Sequence, residues 1–281
     1  MPTPARIDGI DLSHWQAGAL DFATAKRAGV RFVIHKATEG TGYTDPGYAQ
    51  RRAEVAAAGI VFGAYHFAKP TGTPEAQARH FLSVARPVKG DMRPALDFED
   101  PGFEGWSVAR KTAWVKAFVD VIEQATGAKP IVYLPGTWAL SSTLDCPLWT
   151  PRYSDAMSAP HVPAPWRTHT IWQFSNGVIG SPSAVPGIGA CDINTINSHD
   201  PARVVEALRL GHTDPAPQPA KPAGPTRIVH AREQIHVGIN ALEQAVALCI
   251  ASKRPRALLA APVLKQAVRL LQRALSVLPP A

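Results

Sequence analysis

The segment PALDFED carries two carboxylates, Asp97 and Glu99, two residues apart on a predicted strand. Residues i and i+2 of a strand point to the same face, with Cα atoms about 6.5–7 Å apart. Two carboxylates held this close do not ionise independently, so one tends to keep its proton and can act as an acid. Cleavage of a glycosidic bond requires such a pair, an acid for the leaving oxygen and an anion for the positively charged carbon. The same motif also occurs at solvated strand ends and at metal sites, so alone it leaves these alternatives open.

Two further aspartates lie near predicted strand ends: Asp11 in GIDLSHWQ follows a short apolar run, and Asp192 in CDINTIN follows the last predicted β segments. In a β/α barrel the carboxyl ends of the strands meet at one mouth, where the active site lies. The alternative for each is a turn or capping role, which Asp often takes. Aromatic side chains lie near the same strand ends, where they can either form sugar-binding faces or pack in the core. These aromatic residues are Trp15, Tyr65, His66, Phe67, Tyr133, Trp149 and Trp172.

Residues 7–200 alternate β-rich runs with helical patterns, which predicts an α/β fold with a parallel sheet and helices outside. The predicted strands are residues 7–12, 32–36, 61–66, 93–98, 130–133 and 170–174. The predicted helices are residues 21–28, 46–58, 74–84 and 107–126, the last capped by Ser107. Five β/α units followed by strands with little helix between them would form an irregular TIM-like (β/α)5(β)3 barrel over residues 1–210.

The composition changes after the barrel region. Residues 211–227 are rich in proline and predict a semi-rigid linker. Residues 228–281 contain two amphipathic segments separated by SKRPRALLAAP, which predict a C-terminal α-helical hairpin. Residues 211–281 together hold nearly all of the net charge of +7. We expect the hairpin either to bind an anionic envelope surface or to form a homodimer through its apolar seam.

The cysteines, the charge of the first 210 residues and the N-terminal segment each bear on the class of protein. The cysteines, Cys146, Cys191 and Cys249, are widely spaced and predict neither a disulfide framework nor a metal cluster. The near-neutral first 210 residues do not indicate nucleic-acid binding. The N-terminal segment MPTPARIDGIDLSHW lacks the apolar region of a signal peptide, so we expect the protein to be made and held in the cytoplasm before release.

Taken together, these segments resemble the glycoside hydrolase family 25 lysozymes, which are N-acetylmuramidases. The resemblance covers residues 7–210, and eight stretches match in the order of the family. The matching stretches are GIDLSHWQ, FVIHKATEGTGYTDPGY, AAAGIVFGAYHF, PALDFED, PIVYLPGTW, LWTPRYS, IWQFS and CDINTIN. The departures are small: His35 precedes KATEG where another residue is frequent, and Phe174 in IWQFS replaces the usual Tyr. The resemblance implies the (β/α)5(β)3 barrel and cleavage of the β-1,4 bond between N-acetylmuramic acid and N-acetylglucosamine in peptidoglycan.

The resemblance also implies roles for individual residues. Glu99 matches the general acid of the family, and Asp97 matches the carboxylate that assists at the anomeric side of the sugar. Asp11 and Asp192 match two further acidic positions in the same groove. The matched groove residues are Tyr65, Tyr133, Trp149 and Glu39, to which the aromatic cluster adds Trp172. No metal or cofactor is implied.

Three questions stay open at this stage. Asp97 could attack the anomeric carbon, or it could hold the 2-acetamido group of the substrate while that group attacks. A phage endolysin fits the setting, with a bacterial secreted or effector muramidase as the alternative. A barrel that binds glycan without cutting it is a further alternative, which the presence of all four carboxylates disfavours.

Overall fold

The computed structural model describes residues 7–153, residues 160–212 and Gln266. The chain divides into two compact units, Met1–Ala220 and Lys221–Ala281. The predicted linker beyond residue 212, and the predicted hairpin apart from Gln266, lie outside the described residues. The expected envelope binding and dimerisation of that segment therefore stay predictions.

The first unit is built on a closed barrel of eight strands. The strands of the described chain are β1 (Gly9–Leu12), β2 (Phe32–Glu39), β3 (Tyr43–Thr44), β4 (Val61–Phe67), β5 (Ala95–Asp97), β6 (Ile131–Tyr133), β7 (Leu148–Pro151), β8 (Ile171–Asn176), β9 (Ala184–Val185), β10 (Gly189–Ala190) and β11 (Asp192–Ile196). From β1 to β8 the barrel strands pair in parallel, in the order β1, β2, β4, β5, β6, β7 and β8. β11 runs antiparallel between β8 and β1 and closes the barrel. The predicted irregular α/β barrel is confirmed.

Strands β7 and β11 complete the barrel but were not among the predicted strands. β7 is four residues long and ends in Pro151, which weakens a strand pattern. β11 carries the polar sequence DINTI, in which Asp192, Asn194 and Thr195 leave few apolar residues to signal a strand. Outside the closed barrel, β3 extends the edge of β2, and β9 pairs with β10 within the connection between β8 and β11.

The helices pack around the outside of the barrel. They are α1 (Phe22–Arg27), α2 (Tyr48–Ala57), α3 (Pro74–Ala85), α4 (Val108–Thr126) and α5 (Pro201–Ala207). The first four lie where helices were predicted. Helix α4 begins after Ser107, whose hydroxyl accepts a hydrogen bond from the Arg110 amide at 3.2 Å, and ends at Gly127 in the left-handed region. Among the described residues, no helix has both the length and the apolar character needed to cross a membrane.

The connection after β6, residues 134–147, contains no helix, so helices fill four of the five predicted β/α connections. This segment begins with Pro135 and Gly136 and continues with a run of Ser and Thr residues, all of which disfavour helix. Leu144 and Asp145 take positive φ angles of 53° and 56°, which a helix does not allow.

The barrel interior is divided into an apolar plug and a polar mouth. Side chains alternate along each strand, so every second residue points inward. At the amino-terminal end of the parallel strands the inward residues are apolar, and residues of and after α5 cover them. This plug includes Phe32, Ile34, Ala95, Ile131, Ile171, Ile196, Val204, Val205 and Leu208. Gly9 leaves room for it, because a Cβ there would lie 2.3 Å from the ring of Phe32.

Candidate active site

The carboxylates of the polar mouth come from the ends of three barrel strands. Asp11 lies next to last in β1, and Asp97 is the last residue of β5. Asp192 is the first residue of β11, and it reaches the same end of the barrel because β11 runs in the opposite direction. Asp11 and Asp192 are register partners. The fold therefore brings together the aspartates that the sequence placed at separate strand ends.

Asp97 and Glu99, which we refer to as the acidic pair, do not share a strand as predicted. β5 ends at Asp97, and Glu99 lies two residues beyond in the following loop. Phe98, between the two carboxylates, is fully buried outside the barrel, where its ring centroid lies 5.3 Å from that of Trp114 on α4. The Phe98 amide donates a hydrogen bond to the Tyr133 carbonyl at 3.1 Å. The backbone therefore stays extended beyond β5, and both carboxylates face the mouth.

Both members of the acidic pair resist ionisation. Burial, and then the charge of Glu99, raise the pKa of Asp97 well above its ordinary range. Burial, and then the charge of Asp11, raise the pKa of Glu99, although a hydrogen bond from Tyr133 opposes this. The Oδ1 atom of Asp97 is buried and has no hydrogen-bond partner among the described residues. The pair can therefore hold a proton under conditions in which exposed carboxylates are ionised.

Asp11 is held by two side-chain amides. Its Oδ2 atom accepts hydrogen bonds from Gln173 Nε2 at 2.9 Å and from Asn194 Nδ2 at 2.8 Å. The amide oxygens are fixed in turn, because Trp149 Nε1 donates to Asn194 at 2.7 Å and the Tyr133 hydroxyl donates to Gln173 at 2.9 Å. Burial and the charge of Asp192 raise the pKa of Asp11 despite these bonds. The network fixes the orientation of the Asp11 carboxylate.

Asp192 belongs electrostatically to the same group. Burial, and then the charge of Glu99, raise the pKa of Asp192 to about 6. All four acids of the mouth thus have raised pKa values, and in each case the charge of another of the four contributes to the rise. Buried titratable groups with perturbed pKa values occur frequently at functional sites, which makes this cluster the candidate active site.

Three predicted groove aromatics line the barrel interior beside these acids. Tyr65, Tyr133 and Trp149 belong to the core cluster that fills the barrel. The ring centroids of Tyr133 and Trp149 lie 4.8 Å apart in an edge-to-face arrangement, and those of Tyr65 and Trp149 lie 6.4 Å apart. Burial and the charge of Asp97 raise the pKa of the Tyr65 hydroxyl well above its ordinary range. Its hydroxyl is therefore neutral and can serve as a hydrogen-bond donor.

Glu39 takes part in a charged cluster at the edge of the mouth. Its carboxylate lies 3.2 Å from Lys36 Nζ and 3.1 Å from Lys69 Nζ, and Lys69 also binds Asp100 at 2.8 Å. Burial opposes ionisation of Glu39, but the hydrogen bonds and charges of the two lysines outweigh it and lower its pKa. Glu39 is thus an ionised partner of the lysines and not a proton donor.

Trp172 does not join the group at the mouth. It precedes Gln173 on β8, and because Gln173 points inward, Trp172 points outward. Its ring packs in the layer between barrel and helices, 6.0 Å from Phe174 in centroid distance, and its Nε1 donates to the Arg152 carbonyl at 3.0 Å. The expectation that Trp172 binds substrate is not supported by this position.

Four polar residues of the site were not singled out from the sequence. Lys36 is buried on β2, with Nζ 4.6 Å from the ring centroid of Phe67, and its charge lowers the pKa of both members of the acidic pair. Gln173 and Asn194 hold Asp11, and the Tyr153 hydroxyl donates to Gln173 at 2.8 Å. The available signal was their position within KATEG, LWTPRYS, IWQFS and CDINTIN, the stretches that carry the family resemblance.

The mouth can supply a proton and stabilise positive charge in one buried space. Glu99 lies at the entrance and Asp97 is more deeply buried, so the two differ in access to a substrate. Among the described residues, no group of three or more His, Cys, Asp or Glu side chains is arranged to hold a metal ion. This combination matches what a glycosidic bond requires, a proton for the leaving oxygen and an anion near the anomeric carbon.

Comparisons with known proteins agree with this chemistry. The profile of the family described as Glycosyl hydrolases family 25 matches residues 10–181. The chain is 36% identical over 189 residues to the N,O-diacetylmuramidase of Chalaropsis sp, covering 60% of this chain and 88% of that protein. It is 33% identical over 207 residues to lysozyme M1 of Streptomyces globisporus, covering 68% of each.

Solved structures show the same fold. The bacterial lysozyme from Streptomyces coelicolor matches with a TM-score of 0.62 and 30% identity, covering 74% of this chain and 98% of that chain. The muramidase from Trichobolus zukalii matches with a TM-score of 0.61 and 30% identity, covering 73% of this chain and 100% of that chain. Since the family profile spans more than half of the 281 residues, this chain belongs to glycoside hydrolase family 25.

Proposed function

We propose that this glycoside hydrolase is a muramidase, which hydrolyses the β-1,4 bond between N-acetylmuramic acid and N-acetylglucosamine in bacterial peptidoglycan. The names of its relatives, N,O-diacetylmuramidase and lysozyme, support this substrate. The observation that carries the proposal is the acidic pair, with Glu99 at the entrance of the mouth and Asp97 buried beneath it.

Glu99 is the residue that we assign as general acid. Its raised pKa keeps a protonated fraction at the pH values where exposed glutamates are ionised. It gives this proton to the glycosidic oxygen as the bond to the anomeric carbon breaks. In the second half of the cycle its carboxylate takes a proton from the water that attacks the anomeric carbon. The residue thus returns to its starting state.

Asp97 is the residue that we assign to the positive charge at the anomeric carbon. Its unpaired Oδ1 atom is available either to that carbon or to the N–H of the 2-acetamido group. In the first route Asp97 forms a bond to the sugar, and in the second the acetamido oxygen forms it. Both routes release the same products and use Glu99 in the same way. Tight binding of a thiazoline that mimics the cyclised acetamide would favour the second route.

Asp11 and Asp192 support the pair through their charges and positions. Asp11 raises the pKa of Glu99, and Glu99 in turn raises that of Asp192. The Tyr133 hydroxyl, which donates to Gln173, also lies beside Glu99 and lowers its pKa. We assign the ring of Tyr65 to the wall against which the sugar lies, whereas Trp149, 2% exposed, packs behind it and holds Asn194.

The assignment of the acid is tested by Glu99→Gln. Because the amide cannot donate this proton, we expect lysis of purified peptidoglycan to fall by about 10²–10⁴-fold while the melting temperature is kept. The matched control is Glu104→Gln, five residues away and exposed, which should lyse walls at the parent rate. Near-parent activity of Glu99→Gln would contradict the assignment.

The bond that is cut is read from the products. Mass spectrometry of a reduced digest should place the new reducing end on muramic acid, whereas a reducing end on glucosamine would overturn the muramidase proposal. A barrel that only binds glycan would leave the turbidity of a wall suspension unchanged. The phage endolysin setting stays a prediction.

A further inference from the structure

One tryptophan differs from the others in its exposure. All seven tryptophans lie in the described ranges, and Trp15 alone is exposed, with 80% of its surface accessible. Its ring contributes little to the core, so packing does not account for it. An indole ring left in water is a ready contact surface for a ligand with an apolar face.

Trp15 forms part of a cluster that we name the rim platform, which consists of His14, Trp15 and Tyr43. The ring centroids of His14 and Trp15 lie 4.6 Å apart at an interplanar angle of 35°. Those of His14 and Tyr43 lie 6.1 Å apart at 65°, so the tyrosine ring stands at an angle to the other two. The platform therefore has an open aromatic surface bordered by a third ring.

The rim platform is fixed by a buried carboxylate. Asp45, 2% exposed, accepts hydrogen bonds from the His14 amide at 2.9 Å and the Gly47 amide at 2.9 Å, and its Oδ2 lies 3.2 Å from His14 Nδ1. The carbonyl of Tyr43 lies 3.0 Å from His80 Nε2 on α3. Because His14 and Tyr43 are held before any ligand arrives, with the Tyr43 hydroxyl also 3.2 Å from His14 Nδ1, these two side chains lose little conformational entropy on binding.

The rim platform lies at the same end of the barrel as the acids. Trp15 follows Asp11 by four residues in the turn after β1, and Tyr43 follows Glu39 by four residues in β3. Four residues span at most about 14 Å, so both rings lie within reach of the mouth. A polymer that occupies the mouth and extends over this part of the rim would meet them.

Resting on the function proposed above, we propose that the rim platform is an outlying subsite that stacks a sugar ring of the same glycan strand, away from the bond that is cut. A pyranose ring offers an apolar C–H face to Trp15 and hydroxyl groups to the imidazole of His14 and the hydroxyl of Tyr43. None of the three residues is a lysine or arginine, so the platform suits an uncharged N-acetyl sugar better than an anionic polymer.

Binding to glycan chains of two lengths tests the proposal. Glu99→Gln serves as the background, so that the chains stay intact, and their stem peptides are removed. Adding Trp15→Ala should weaken binding of long chains by about three- to tenfold and of tetrasaccharides by less, since a short chain does not span both places. Trp15→Phe should recover part of the loss. In the active enzyme, Trp15→Ala should raise KM for long chains by a similar factor.

The test includes a matched control variant and the outcomes that would contradict the rim platform as a sugar subsite. Val88→Ala, 55% exposed in the connection from α3 to β5 at the opposite end of the barrel, should change neither length of chain. Unchanged binding and KM of Trp15→Ala on long chains would overturn the proposal. A loss seen only with stem peptides present would also overturn it, in favour of peptide binding. Failure of the parent enzyme to cut peptidoglycan would instead refute the proposed function.

Discussion

Replacing Asp192 by Asn should stabilise the protein at neutral pH. The folded protein holds this carboxyl with a pKa of about 6, raised by burial and by Glu99 from an ordinary value of 3.8. When Asp192 is ionised, it therefore disfavours the folded state relative to the unfolded state. A difference of this size corresponds to up to about 3 kcal/mol. Asparagine has nearly the same shape and carries no charge, so it removes this cost.

The raised pKa of Asp192 determines how the stability difference between the parent and the variant depends on pH. Below about pH 4 the carboxyl is protonated in both states, and the substitution should change the free energy of unfolding little. Between about pH 4 and pH 6 the unfolded parent has lost this proton while the folded parent still holds it, so the parent loses stability that the variant keeps, and above about pH 6 the difference is constant. For a domain of this size the advantage at pH 7.5 amounts to about 6–12 °C in melting temperature. We expect the variant to lose lytic activity, as is common when a strained site is relaxed.

Thermal melts of the parent and of Asp192→Asn at intervals from pH 4 to pH 8 measure this difference. Asp145→Asn is the matched control, because Asp145 is exposed and has a φ of 56°, a conformation that asparagine also tolerates. The melting temperature of the control should differ from that of the parent by the same amount at every pH. If the difference in melting temperature between Asp192→Asn and the parent were also independent of pH, the electrostatic description of the mouth would be wrong.

Two further substitutions test the plug and the mouth. Gly9→Ala should destabilise the protein by about 1–3 kcal/mol, because its Cβ would lie 2.3 Å from the ring of Phe32, and thermal melts check this. Lys36→Met should move the pH–activity profile to higher pH, because loss of this cation raises the pKa values of the acidic pair further. Lys69→Met, which removes a lysine bound to Glu39 and Asp100 instead, should leave the profile in place, and equal shifts in both variants would contradict the role of Lys36.

Asp11 and Asp97 could be predicted from the sequence because each follows a short apolar run. Carboxyl ends of parallel strands meet at one end of a barrel, so local patterns at Asp11 and Asp97 sufficed to place them together. Asp192 reaches the mouth for a different reason, the reversed direction of β11, which its polar sequence does not reveal. Its place was implied by the resemblance of CDINTIN to the family.

The amides and the aromatics were harder to predict. Gln173 and Asn194 matter because β8 and β11 bring their side chains to Asp11, a contact that depends on barrel closure and not on local pattern. Side chains alternate along β8, so one of Trp172 and Gln173 faces the barrel interior and the other faces the helices. Because nearly every residue of β8 is buried, its sequence shows no alternation of apolar and polar residues that would tell which of the two faces inward. The sequence therefore did not show that Trp172 faces the helices, a position that does not support its predicted role in substrate binding.

The seam between the first and the last strand has a consequence for how the enzyme is made. Asn194 and Asp11, which meet across this seam, are 183 residues apart in the chain. Contacts this distant form late, because the loop between them must close first. During synthesis the ribosome releases Glu99 long before β11, and until then Asp11 lacks Asn194 and the barrel remains open. A nascent or proteolytically shortened chain therefore carries the acid without a finished mouth, and we expect hydrolytic activity to arise in a single late step of folding.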